Sequence, residues 1–354
     1  MKALVYHGPG SRVWEDVLDP AIHDPEDAIV RVDAVTICGT DLHILKGDVP
    51  TVEPGRVLGH EAVGTIETVG SGVRGVKPGD RVLISCISAC GRCRYCREGH
   101  YGQCLGGGGW ILGHRIDGTQ AEKVRVPFAD RSLHLLPDGV TDDAALMLAD
   151  ILPTSYEVGV LAGQVSPGDV VVIVGAGPIG LAAVATSRLF SPAQVIVVDP
   201  APARQEAALK MGADLALDPS ADVLERVREL TGGLGADVAI EAVGIPATFE
   251  MCTELIRPGG RVANVGVHGA PATLHLESLW IRNVTITTGL VDTYSTPRLL
   301  SMLAAGRLEL PGLVTHRFGL GEMQEAYDVF ARPADTGALK VALFTDESLH
   351  HPGS

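Results

Sequence analysis

Four thiols stand close together at Cys90, Cys93, Cys96 and Cys104, separated by two, two and seven residues. Two-residue gaps let successive sulfurs turn inward from one short loop, and Zn²⁺ takes four thiolates tetrahedrally without redox chemistry. The spacing predicts a structural zinc site. A disulfide framework fits poorly, because the chain has seven cysteines and opens Met1-Lys-Ala-Leu-Val-Tyr without the long apolar stretch of a secretory signal. A ferredoxin-type cluster would close on a shorter last gap followed by proline, whereas Leu105 follows Cys104 here.

Other metal-binding residue types lie further apart. Cys38 sits in Thr36-Ile-Cys-Gly-Thr-Asp-Leu-His43, and His60 with Glu61 in Gly59-His-Glu-Ala-Val-Gly64. A lone cysteine is more often a small buried hydrophobe, and a lone histidine a hydrogen-bonded structural group. An open catalytic zinc site needs three protein ligands and a free position, and spacing does not name the third.

A glycine pattern points to a nucleotide. Val170-Val-Val-Ile-Val-Gly175-Ala-Gly177-Pro178-Ile179-Gly180 sets G-x-G-x-x-G between an apolar strand and a helix. The first glycine allows the tight turn, the second lets backbone approach a pyrophosphate, and the third lets helix pack on strand. The helix N-terminus adds N–H donors and a partial positive charge. Asp199 ends the next strand, where a carboxylate accepts the adenosine ribose hydroxyls and repels a 2′-phosphate, so NAD is expected over NADP. Arg204, on the following helix, either lies along the adenine or is a solvated helix charge.

The elements that must carry these residues change character along the chain. Up to about residue 150, β-branched runs such as 28–35 and 63–69 alternate with Gly/Pro turns such as Lys77-Pro-Gly-Asp80, which reads as antiparallel β. From about residue 153 the pattern is strand, glycine turn, helix: strands at 169–174, 194–198, 237–241 and 261–265, helices from 178, over 203–211 and near 247–256. That is a parallel sheet with helical crossovers. After about residue 289 the pattern is mixed, with a helix near 297–305, a strand at 339–344 and a loose tail over Ser348–Ser354.

Composition excludes some roles. With 354 residues, 46% hydrophobic and 20% charged, the chain can fill two domain cores. The longest apolar run, near 170–190, is interrupted by Gly175, Gly177, Pro178 and Gly180, so no membrane span is expected and the cytoplasm is. A net charge of −15 disfavours nucleic acid, which is held by clustered Lys and Arg, and otherwise serves solubility.

Taken together, Cys38-Gly-Thr-Asp-Leu-His, Gly59-His-Glu-Ala-Val-Gly-Thr-Ile, the four-cysteine loop and Gly175-Ala-Gly-Pro-Ile-Gly resemble the zinc-dependent medium-chain alcohol dehydrogenases. The resemblance runs on through Gly235-Ala-Asp-Val-Ala-Ile-Glu-Ala-Val-Gly and Arg257-Pro-Gly-Gly-Arg-Val to Thr336-Gly-Ala-Leu-Lys-Val. It is nearest to the bacterial secondary-alcohol, threonine and polyol dehydrogenase branches. It implies an α/β protein: a GroES-like β-rich catalytic domain over 1–152 and 289–354, and a Rossmann NAD-binding domain over 153–288. It also implies a homo-oligomer, dimer or tetramer.

The resemblance supplies the third ligand as well. Relatives carry Cys, Asp or Glu just before the helix that leads into the Rossmann domain, which selects Asp150; by itself this residue reads equally as an N-cap or a solvated loop acid. Glu61 is then a transient fourth ligand or a group that orients the site. Thr40 and His43 become a proton relay, against the plainer readings of a turn hydroxyl and a surface histidine. The cofactor contacts extend to Val265, Val267 and Thr288. Trp110 is either a pocket wall, by analogy with secondary-alcohol enzymes, or ordinary core.

The implied chemistry uses two zinc ions per chain and NAD. Zinc as a Lewis acid lowers the pKa of the substrate hydroxyl, hydride leaves the carbinol carbon for nicotinamide, and Thr40 passes the proton outward. A small, secondary alcohol and its ketone are the expected pair, with an aldehyde product or a threonine or polyol substrate as the alternatives. A non-catalytic nucleotide-binding relative or a zinc-free quinone reductase is disfavoured by having Cys38, His60 and Asp150 together.

Overall fold

The computed structural model describes residues 1–220 and 222–345, which leaves the tail Ser348–Ser354 outside the described residues. The chain begins with strands β1 (Lys2–Gly8), β2 (Ser11–Asp16), β3 (Ala28–Thr36), β4 (Arg56–Val57), β5 (Ala62–Val69), β6 (Arg81–Ile84), β7 (Lys123–Val126) and β8 (Leu133–Leu135). It continues through β9 (Val170–Val174), β10 (Gln194–Val198), β11 (Leu215–Leu217), β12 (Ala236–Glu241), β13 (Ile256–Asn264) and β14 (Thr285–Thr288). It closes with β15 (Val314–Gly319) and β16 (Lys340–Phe344).

Two compact units result. Among the described residues the first comprises 1–150, 292–307 and 314–345, the second 151–220, 222–291 and 308–313. Leu308–Leu313, read from sequence with the β-rich part, belongs to the second unit, where Leu308 and Leu313 are buried; nothing in their local pattern distinguishes one core from the other.

In the first unit a seven-stranded sheet runs β15-β16-β3-β5-β6-β8, with β7 also paired to β3, and a smaller sheet runs β2-β1-β4. Strand β3 pairs antiparallel with β5, β7 and β16, and eight of its nine residues are buried. Its neighbours fill a core around Val30, Val32, Ile66, Ile84, Leu112 and Val341. Burying each such side chain contributes about 1.5–3 kcal/mol. The antiparallel expectation for residues up to about 150 holds, and in the mixed stretch after about residue 289 strands β15 and β16 pair in parallel. A helix, Met323–Phe330, lies between them in sequence and makes the crossover that parallel pairing requires.

The second unit is a six-stranded, wholly parallel sheet in the order β11-β10-β9-β12-β13-β14. Numbered within the unit this is 3-2-1-4-5-6, the doubly wound Rossmann order, whose switch point lies between β9 and β12. Strand β9 reads Val-Val-Val-Ile-Val and is almost entirely buried, as a strand covered by helices on both faces must be. Strand β13 starts five residues earlier than its pattern suggested. Pro258, Gly259, whose φ is +74°, and Gly260 are carried within the strand, and the ladder absorbs them by a register shift opposite Ala236 and Val238.

Candidate active site

The four-cysteine loop closes on itself. The sulfurs of Cys90, Cys93, Cys96 and Cys104 all lie within 4.8 Å of one another. Backbone amides point at them: Cys93 Sγ accepts from Cys96 N at 3.5 Å and Leu105 N at 3.4 Å, and Cys104 Sγ from Cys90 N and Gly106 N, both at 3.4 Å. The Cys96 amide, with Leu105 behind it, draws the Cys93 thiol down to about 6. Amides aimed at sulfur stabilise thiolates, which is what a Zn²⁺ ligand set needs.

The remote residues Cys38, His60 and Asp150 also converge, with their ligand atoms within 4.8 Å of one another. Asp150 Oδ2 is 3.6 Å from Cys38 Sγ and 3.4 Å from His60 Nε2. Three long-range placements achieve this. Cys38 follows β3, at the start of the helix Gly39–Lys46. His60 precedes β5 after Gly59, whose φ of +93° suits glycine and where a Cβ would lie 2.6 Å from Gln120 Cγ. Asp150 is tied to the end of β6 through Ala149, whose carbonyl accepts from the Cys86 amide at 3.1 Å. Burial disfavours an imidazolium here, yet Asp150 and Cys38 more than offset it and raise the pKa of His60 well above its ordinary value. The donor set therefore attracts positive charge, and one thiolate, one imidazole and one carboxylate suit Zn²⁺ with a position left open.

Behind these three residues stand Glu61 and other groups that sequence reasoning did not single out. Lys340, on β16 and 1% exposed, places Nζ 2.5 Å from Glu61 Oε2 and 3.1 Å from the Ile37 carbonyl. Glu61 Oε1 has no partner, and burial, opposed by Lys340, raises its carboxyl. Asp41 faces the far side of His60, its Oδ1 3.9 Å from Nδ1. The Cys86 thiol is 3.7 Å from Asp150 Oδ1. Lys340 was visible only as part of the closing motif, since no local pattern tells a buried lysine from a solvated one.

Thr40 and His43 share the helix Gly39–Lys46, three residues apart and so on one face. Thr40 Oγ1 is 3.6 Å from Cys38 Sγ, and His43 Nδ1 is 2.8 Å from Asp48 Oδ2. Trp110 stands edge-on to His60, ring centroids 6.2 Å apart, and stacks on His114 at 4.3 Å. It thus packs on the core and borders His60 of the candidate metal-binding set at once.

In the second unit Gly175 has φ +100°, and a Cβ at Gly180 would lie 1.8 Å from the Gly175 carbonyl oxygen. A Cβ at Gly177 would meet nothing within 4 Å, so that face of the turn is open. Pro178 opens the helix Pro178–Ser187, whose N-terminus no side chain caps. Open backbone and unpaired donors fit a pyrophosphate. Asp199, 3% exposed, accepts from Ala176 N at 2.8 Å and Ala201 N at 2.9 Å. Each carboxylate oxygen keeps a lone pair for a ribose hydroxyl. Arg204 lies beside Asp199, 3.8 Å from Oδ2. Val265 follows β13 and is half-buried, Val267 is exposed, and Thr288 ends β14, all at the carboxyl edge of the sheet where such folds bind ligands.

The chain is similar to known proteins along nearly its whole length. Residues 24–138 match the alcohol dehydrogenase GroES-like domain family, and residues 178–305 the zinc-binding dehydrogenase family. An alcohol dehydrogenase of Cupriavidus necator is 40% identical, with 97% of this chain and 98% of that protein covered. The apo structure of zinc dependent alcohol dehydrogenase 2 from Streptococcus pneumonia is 51% identical at a TM-score of 0.94, covering 98% of this chain and 99% of that one. Alcohol dehydrogenase TADH from Thermus sp. ATN1 is 38% identical at a TM-score of 0.90, covering 98% of this chain and 100% of the other.

Proposed function

The chain belongs to the zinc-dependent medium-chain alcohol dehydrogenases, and we propose that within this family it is an NAD-linked enzyme interconverting small secondary alcohols with ketones. The observation that carries the reading is the convergence of Cys38, His60 and Asp150 on one point beside Trp110. Zinc held by these three residues supplies a Lewis acid that lowers the pKa of an alcohol, and NAD is the hydride acceptor. A second zinc on Cys90, Cys93, Cys96 and Cys104 is structural.

The protein's own groups do the rest. Thr40 accepts the hydroxyl proton of the substrate and passes its own outward, and His43, steadied by Asp48, takes it toward water. Glu61, held by Lys340, orients the site by its charge. Asp199 accepts the ribose hydroxyls and opposes a 2′-phosphate. Gly175, Gly177, Pro178, Ile179 and Gly180 form the pyrophosphate turn, with Val265, Val267 and Thr288 at the nicotinamide end of the same site. Trp110 offers an apolar wall to one substituent of the substrate, which favours a simple alcohol over threonine or a polyol, whose polar groups need partners.

Among the described residues no helix is long and apolar enough to cross a membrane. Seven free thiols, with two ligand sets that require reduced sulfur, favour a reducing compartment, the cytoplasm. Strand β14 is a sheet edge, and Leu276, Trp280 and Ile281 near it are 61%, 72% and 68% exposed, a surface suited to a second copy in a homo-oligomer.

The test is a substrate screen following NADH absorbance over secondary alcohols, threonine and polyols, run alongside elemental analysis. Turnover of secondary alcohols with NAD in a zinc-loaded protein is expected. Selective turnover of threonine or a polyol would replace the substrate, and a zinc-loaded protein without any dehydrogenase activity would end the reading.

A further inference from the structure

A chain of buried polar groups leads away from the metal-facing histidine to the far side of the first unit. Asp41, 1% exposed, uses Oδ2 to accept from the Cys38 amide at 2.9 Å and from Gln120 Nε2 at 3.0 Å. Gln120 Oε1 in turn accepts from the Tyr327 hydroxyl at 2.7 Å, and both residues are fully buried. Arg12 lies over the Tyr327 ring, 4.7 Å from its centroid, and is anchored to Asp328 at 2.7 Å. At the inner end, Asp41 Oδ1 and His60 Nδ1 are both buried without a hydrogen-bond partner, and they face each other across 3.9 Å. Two orphaned atoms this close, one able to donate and one to accept, form a hydrogen bond with a small adjustment.

The polarity of this chain is not free. A carboxylate only accepts, so Gln120 must turn its amide nitrogen toward Asp41 and its carbonyl toward Tyr327, and the phenol must donate. Reversing the amide would set two acceptors against each other at Asp41 and waste the tyrosine proton. With Oδ2 held in this way, Oδ1 is the oxygen left to accept from Nδ1–H of His60. That tautomer leaves the Nε2 lone pair for a metal.

We infer that Gln120 and Tyr327 are positioning residues for His60: Tyr327 locks the Gln120 amide, Gln120 locks Asp41, and Asp41 selects the imidazole tautomer that can ligate. The inference rests on the metal reading above. It assigns metal affinity to a tyrosine on the helix Met323–Phe330 that touches no ligand.

The experiment measures Co²⁺ affinity of the full chain by competition with a chromophoric chelator. The signal from the three-ligand site is that lost in Cys38→Ser, and the four-cysteine site is the internal control. Gln120→Leu is expected to weaken Co²⁺ at the three-ligand site by roughly tenfold or more, as loss of an outer-shell partner does. Tyr327→Phe is expected to weaken it by about three- to tenfold, the loss of one hydrogen bond. The four-cysteine site should not change. Because the two residues act in series, the double variant should be no weaker than Gln120→Leu alone. Should Gln120→Leu fail to fold, Tyr327→Phe decides by itself. Unchanged affinity, equal losses at both sites, or additive losses in the double variant would overturn the inference. A wild-type chain with no Cys38-dependent cobalt signal would instead remove the metal reading, and this inference with it.

Discussion

Lys340, on β16, holds its ammonium 2.5 Å from Glu61, the residue that follows His60, and both are shut away from water. Removing one partner leaves a bare charge in a low-dielectric interior, which costs about 3–5 kcal/mol. Lys340→Met should therefore lower stability by that order in urea unfolding, and adding Glu61→Gln should restore much of it. If Lys340→Met alone proves neutral, the pair is not a fully desolvated ion pair.

Metal content separates the two ligand sets. Two zinc ions per chain are expected. Cys93→Ser should lose one ion and mainly stability, Cys38→Ser the other and mainly turnover. Asp150→Asn removes a ligating charge and should weaken only the second ion, with a fall in kcat. One zinc per fully loaded chain, or an Asp150→Asn enzyme with unchanged zinc and rate, would contradict the assignment.

In the proposed function, coenzyme choice rests on Asp199. Asp199→Gly removes the ribose acceptor and the charge that repels a 2′-phosphate, so the preference for NAD over NADP should narrow or reverse. The comparison is kcat/KM for both coenzymes. A wild-type enzyme better with NADPH than with NADH would show the carboxylate in another role.

Proton release and hydride transfer should come apart by mutation. Thr40→Val should abolish nearly all alcohol oxidation while fold and metal persist, and Thr40→Ser should retain much of it. His43→Ala should cost less, because water can replace it, and most at low pH, where little hydroxide is available. Superimposable pH profiles for His43→Ala and wild type would remove His43 from the relay.

His134, on β8, has an unpartnered Nε2, and burial pushes its pKa from 6.5 down to about 4. Its folded pKa is depressed, so the unfolded chain binds more protons between those values. Its contribution is intact above pH 6.5 and is lost as pH falls toward 4, on the order of 3 kcal/mol in all. His134→Leu should flatten the stability slope in that window in urea titrations at successive pH. An identical slope in both proteins would mean that His134 reaches water in the native state.

What the sequence alone determined is what short-range geometry determines. Four thiols within 15 residues bend onto one point because a short loop leaves them few alternatives, and Gly175 to Gly180 between strand and helix makes a turn open at Gly177. Burial on both faces makes a parallel strand legible, so β9, β10 and β12 stand within a residue of where their apolar runs placed them. The early start of β13 escaped, because glycine and proline mark breaks in sequence while a bulge can carry them through a strand.

Only the tertiary structure decided what surrounds His60. Asp150 reaches it from 90 positions away, and Lys340 is brought under Glu61 by pairing of β16 with β3, a contact between opposite ends of the chain. Gln120, Tyr327 and Arg12 align because a loop, the helix Met323–Phe330 and strand β2 pack around one core. None of these residues has a local signature, since burial of a lysine, a glutamine or an aspartate is a property of the partner that meets it. That partner arrives by long-range strand pairing, and the charge and polarity it must satisfy exist only once the strands have closed.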